Sequence, residues 1–183
     1  MRFALLSLAA LSLGLAACSQ QADEAPAAEA TGEAGTDPVP EGALPEAILD
    51  LQATGLIVPA QAGLEQLDVP FGSLRAATEA TLANVLGKAK VSNSPNDCGL
   101  TTTAYDGIAI NFRDDKFVGY TANAPYVPDL TRTEMLKDPQ VKLLEDSTID
   151  GEFTIGSGEQ IISGVFVGDA VRALYAGENC IAR

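Results

Sequence analysis

The 183 residues include 25 acidic and 11 basic side chains, a formal charge of −14, and no histidine. That balance supplies no basic patch for phosphate or anionic lipid, which disfavours nucleic-acid binding. Without imidazole there is no Ser-His-Asp triad, no Cys-His dyad and no histidine-ligated metal site.

In chain order, Arg2 and the apolar run Phe3 to Ala17 have the parts of an export signal. A run of about fifteen residues is too short for a spanning helix, which needs about 20. It ends in Leu15-Ala16-Ala17-Cys18, with small residues ahead of a cysteine. This order resembles the lipobox of bacterial lipoproteins; an ordinary cleaved signal peptide is the alternative. The resemblance implies cleavage after residue 17, acylation of Cys18 on sulfur and amine, and attachment to a membrane through that lipid. Several acyl chains on one cysteine would hold firmly, at about 0.8 kcal/mol per buried methylene. Ser19 stands where inner-membrane retention in enteric bacteria uses Asp, which implies the outer membrane, facing the periplasm.

Residues 18–43 comprise the candidate lipidated cysteine and an Ala/Glu/Gly/Pro linker. The linker has no aromatic residue, and Val39 is its one β-branched aliphatic. Such a segment cannot bury enough apolar surface to offset its ordering entropy, so it is expected to be a disordered spacer. Asp23, Glu24, Glu29, Glu33, Asp37 and Glu41 make it self-repelling.

Residues 44–183 are long enough for one core, and are expected to form a single α+β domain. A helix is predicted over Pro45 to Ala53, then a Pro/Gly loop to Phe71-Gly72. Ser73 is the expected N-cap of a second helix ending at Leu86-Gly87. Leu74, Ala77, Thr78, Thr81, Leu82, Val85 and Leu86 form its apolar stripe. Strands are predicted over Leu100–Tyr105, Ile108–Arg113 and Phe117–Ala122. Asp106-Gly107 suits a type I′ turn, and Asp114-Asp115 makes the next. After Pro125 to Pro128, Asp129 or Thr131 caps a short helix. Four more strands follow over Val141–Glu145, Phe153–Ile155, Ile161–Val167 and Val171–Tyr175. The pattern is an antiparallel meander packed by short helices, twice, and suggests tandem halves 44–124 and 125–183.

Gly72-Ser73, an amphipathic helix closed by Leu86-Gly87, and three antiparallel strands to Ala122 resemble the SmpA/BamE-like lipoproteins. Two such units in tandem resemble the β-lactamase-inhibitor-protein fold. The helix is about one turn longer than that motif, and Lys88-Ala89 replace its usual proline. The resemblance covers about a third of the mature chain and bears on fold more than on function; the expected protein-binding or assembly role rests on the anchor, the spacer and the missing catalytic chemistry.

Cys98 and Cys180, 82 positions apart, most simply pair in an oxidising periplasm. Two free thiols are the alternative, and a zinc pair lacks histidines to complete it. Gly156-Ser157-Gly158 is read as a turn because it lacks the third glycine and long helix of a dinucleotide loop. The acidic loops Asn93 to Asp97 and Asp146 to Glu152 do not follow EF-hand spacing. Asp114-Asp115, Asp129 and Glu134 are the carboxylates weighed as a glycosidase pair. Tyr105, Tyr120, Tyr126 and Tyr175, with Phe112 and Phe117, are weighed as a recognition face; alternation puts Phe112 inside and leaves the tyrosines at strand ends as the better surface candidates, but core or sheet packing is the default. No catalytic residue, cofactor or metal is expected. The leading expectation is a non-enzymatic envelope lipoprotein that binds another envelope protein. The alternatives are an inhibitor of a periplasmic hydrolase and a carboxylate-dependent glycan hydrolase.

Overall fold

Apolar–polar alternation sets the pairing of nearly all that the computed structural model describes, residues 49–60 and 65–181. The export signal, Cys18 and the linker to Ala43 lie outside the described residues. Two helices and eleven strands are described. A three-stranded antiparallel sheet comes first: β1 (Asp50–Gln52), β2 (Gly55–Val58) and β3 (Leu67–Pro70), in that order. Helix α1 (Arg75–Leu86) follows, then β4 (Lys90–Ser92), β5 (Thr101–Tyr105), β6 (Ile108–Arg113) and β7 (Lys116–Ala122). The second half repeats the plan in α2 (Arg132–Met135), β8 (Val141–Leu143), β9 (Glu152–Ser157), β10 (Gln160–Val167) and β11 (Ala170–Gly177).

The expected α+β domain is therefore corrected to a nearly all-β one. Its helices have only twelve and four residues, against an eight-stranded sheet and a three-stranded one. Where it is described, the helix expected over Pro45 to Ala53 is a bend at Leu49, strand β1 and a turn starting at Ala53, and the expected loop after it supplies β2 and β3. Leu56-Ile57-Val58 provides a β-branched partner two residues past the Ala53-Thr54 turn. The pairing Asp50↔Ile57 and Leu51↔Leu56 outweighs the helical spacing of the leucines.

The eight strands run β4-β5-β6-β7-β11-β10-β9-β8, all antiparallel. Two four-stranded meanders thus join through their last strands. Their inner hairpins share one register: every pair of β10–β11 falls 54 positions after a pair of β6–β7, as Gly164↔Leu174 follows Ile110↔Tyr120 and Val167↔Ala170 follows Arg113↔Lys116. Both hairpins carry a register shift at the same place, before Phe112 and before Phe166. Arg75 stands 4.9 Å over the Phe112 ring and Arg132 5.6 Å over Phe166. The junction pairs Tyr175 with Thr121, also 54 apart, so a local twofold axis passes between them.

Both helices begin against their meander's last turn. The Arg75 N–H donates to the Asp115 carbonyl at 2.8 Å, and the Arg132 N–H to Asp169 at 2.8 Å. That contact replaces the expected Ser73 cap. Leu74 holds the extended N-cap position without a side-chain bond, and the Ser73 hydroxyl donates to the Pro70 carbonyl at 2.7 Å. Thr131 caps α2 in a reciprocal box with Glu134. The turns also exchange character. At Asp106-Gly107 only Gly107 has positive φ, 74°, whereas Asp114 and Asp115 both do, at 49° and 55°. Aspartate tolerates that region better than most side chains.

One face of the large sheet packs on α1 and the small sheet. Leu56, Val58, Val69 and Leu82 share a core with Ile110, Phe112, Phe117 and Tyr120. A second cluster joins Met135, Val141, Phe153, Phe166, Val171 and Leu174, and Leu51 and Ile162 touch both. On the opposite face the C-terminal segment crosses β6 and β7. Asn111 Nδ2 and the Thr121 hydroxyl donate to Asn179 Oδ1 at 2.8 and 2.9 Å, and Arg113 pairs with Glu178 at 2.7 Å. Cys180, joined to Cys98 with Cα atoms 5.6 Å apart, ends that segment.

Candidate functional site

Strand β4 is one edge of the eight-stranded sheet. It pairs with β5 on one side, and all three of its residues are exposed. Alternation puts Val91 on the helix side, opposite Thr103, and turns Lys90 and Ser92 to the other face. Beneath the edge lies a hollow of about 530 Å³. Ala83, Ala89 and Val91 give it an apolar wall, with Glu79, Thr103, Tyr105 and Lys88 also on its rim and floor.

The polar floor is tied together by α1 and β5. Positions 75 and 79 are one helical turn apart, so both side chains reach the same strand. Arg75 Nε donates to Glu79 Oε1 at 2.8 Å. Its two terminal nitrogens donate to the Thr101 and Thr103 hydroxyls at 3.0 and 3.3 Å. The Thr103 hydroxyl donates to the same Glu79 oxygen at 2.5 Å, and Tyr105 to the Glu79 carbonyl at 3.3 Å. Burial works to raise the Glu79 carboxyl. The hydrogen bonds from Thr103 and Arg75, and the charge of Arg75, outweigh it and hold the group below its ordinary value. Burial, and then the Glu79 charge, raise the Tyr105 phenol. Glu79 is thus an ionised, matched carboxylate, and Lys88 and Lys90 at this edge make no ion pair among the described residues.

A different carboxylate, Glu152, is fully buried at 1 % exposed and accepts from the Tyr175 and Ser147 hydroxyls. The Ile149 N–H donates to Ser147 at 3.0 Å, so this cluster fastens the loop between β8 and β9 to the sheet.

The sequence candidates are dispersed. Asp114 and Asp115 occupy a hairpin turn, Asp129 precedes the α2 cap, and Glu134 closes the capping box. In the Asn93 to Asp97 loop, Asn96 Oδ1 accepts from the Cys98 and Leu100 N–H groups, each at 3.0 Å. Among the described residues no three metal-ligating side chains come together, and no helix is long and apolar enough to cross a membrane. The tyrosines follow the core-packing default and do not form a recognition face. Tyr105, Tyr120 and Tyr175 are buried and Tyr126 is half-buried; Tyr105 and Tyr120 belong to the core shared with α1 and the small sheet, Tyr126 packs against it, and Tyr175 donates to Glu152. Phe112 is fully buried. The sequence signals for the Arg75–Glu79 pair are its i,i+4 spacing and the alternate threonines 101 and 103, and neither is specific enough to mark a site. Three-residue β4 left none beyond Lys90, a residue type common on edges.

Comparison of the chain with known protein families, with curated proteins and with solved structures finds no match.

Proposed function

We propose that this chain is a lipid-anchored protein of the bacterial envelope whose β domain binds an extended segment of another envelope protein along the β4 edge. The β4 edge, which no other described strand covers, and the hollow beneath it carry this reading. Strand addition uses unpaired backbone groups for affinity and alternate side-chain pockets for specificity. The segment that fits carries an apolar side chain for the hollow beside Val91 and acidic neighbours for Lys88 and Lys90. The lipobox at Leu15 to Cys18 and the acidic linker support an anchor at the periplasmic face of the outer membrane. The Cys98–Cys180 bridge suits that oxidising compartment. The resemblance over Gly72 to Ala122, and the repeated hairpin register, support a tandem binding module.

The test places a photocrosslinking residue at Val91 in the full chain in cells, with Val167, exposed at the far hairpin, as control. A protein crosslinked at Val91 alone, through an extended acid-flanked segment, and lost on Lys88→Glu with Lys90→Glu, is the expected result. Equal capture at both positions, or capture indifferent to the charge reversals, overturns it. Cys18→Ala tests the anchor separately: the exported variant should leave the membrane fraction, and one that stays refutes acylation as the attachment.

A further inference from the structure

Four of the described residues are glutamines, and three of them meet at one place. Gln52 ends β1, Gln140 precedes β8 and Gln160 begins β10. Together with Ser157 they surround a hollow of about 320 Å³ that also meets Ile155 and Ile162. Among the described residues no charged side chain lines it, in a chain whose formal charge is −14. The fourth glutamine, Gln66, donates to Asp68. The other three carboxamides have no side-chain hydrogen bond among the described residues. Each offers two donors and one acceptor without charge.

The hollow is built from paired backbone. Gln160 pairs with Ser157 across the β9–β10 hairpin, and the Gly156 N–H donates to the Gln140 carbonyl at 3.0 Å. Gly156, at φ 95°, allows the close passage of the Gln160 carbonyl. Three sequence-distant amides are therefore held around one apolar floor.

We infer that this hollow binds a neutral sugar ring of a glycan. Vicinal hydroxyls donate and accept together, as a carboxamide does, and the C–H face of a ring suits Ile155 and Ile162. A charged ligand would find no counter-charge here. The volume sits at the small end of ligand clefts, about 300–1,000 Å³, which suits a ring-sized group.

The test follows the side-chain amide NMR signals of Gln52, Gln140 and Gln160 in the full chain in detergent. It is titrated with an N-acetylglucosamine trimer, a glucose trimer and a neutral tripeptide amide. Saturable shifts at these three residues with either sugar, at roughly millimolar concentration, are expected. The sugar that gives them identifies the source. Gln140 and Gln160 are exposed, so Gln140→Ala and Gln160→Ala leave the fold intact, and each should weaken binding about tenfold. No saturable shift with either sugar, a response to the peptide alone, or sugar binding unchanged in both variants overturns the inference.

Discussion

Replacing Glu79 with Gln removes one charge from the floor of the β4 hollow and keeps its shape. A single oxygen, Oε1, accepts from both Arg75 and Thr103, at 2.8 and 2.5 Å. Charge-assisted bonds are about twice as strong as neutral ones, so two of them lose about 1 kcal/mol each. The Glu79 side chain is 30 % exposed and Arg75 11 %, so solvent screening trims the loss to about 1–2 kcal/mol. The residual Arg75 charge keeps Thr101 and the Phe112 ring as partners. The pH dependence has a fixed sign. A carboxyl held below its ordinary 4.5 in the folded state stabilises fully above 4.5, and that stability is lost as pH falls through the folded value. Urea unfolding of wild type and Glu79→Gln at pH 7 should therefore differ by about 1–2 kcal/mol. The gap should narrow as the pH drops below 4.5. Equal stability at pH 7, or a gap that stays constant into acid, refutes the reasoning.

Thr78→Val should raise the unfolding free energy in urea by up to about 1 kcal/mol, because the buried Thr78 hydroxyl has no hydrogen-bond partner among the described residues; a loss would mean that the hydroxyl is bonded. Phe153→Ala removes a fully buried ring stacked 4.1 Å from Phe166 and should cost about 3–5 kcal/mol by thermal or urea unfolding. Cys98→Ser with Cys180→Ser opens a bridge spanning 82 residues and should cost about 2–5 kcal/mol, matched by wild type under full reduction. Gly119→Ala drives a methyl into the Glu178 backbone. It should raise amide exchange selectively over residues 178–181, and unchanged protection there would contradict the packing described.

The strands after Gly99 were legible because Ile108, Ile110 and Phe112 alternate with smaller or polar neighbours and pair locally through short turns. The first sheet was not. Leu49 and Leu51 fit a helix as well as a strand over so short a run, and the choice is made by β2. Ser73 has the chemistry of a cap, yet its hydroxyl finds the Pro70 carbonyl, and the following turn supplies the Asp115 acceptor to Arg75. Acidic loop residues drew attention as candidate sites because they cluster in sequence. The β4 hollow and the glutamine hollow draw on residues from separate elements, and nothing local marks Gln52, Gln140 and Gln160 as neighbours.

The twofold axis between Thr121 and Tyr175 has a consequence for either half taken alone. Each half ends in a strand whose outer edge the other half covers, β7 for the first and β11 for the second. The axis maps that junction onto itself, so Leu174↔Ala122 and Ala176↔Tyr120 exchange places. A separated half would bare an edge already shaped for a copy of itself in the same antiparallel register. The single chain is in this sense a tethered pseudo-dimer of unlike halves in one register, and the linkage between them removes the concentration dependence that such a pair would otherwise have.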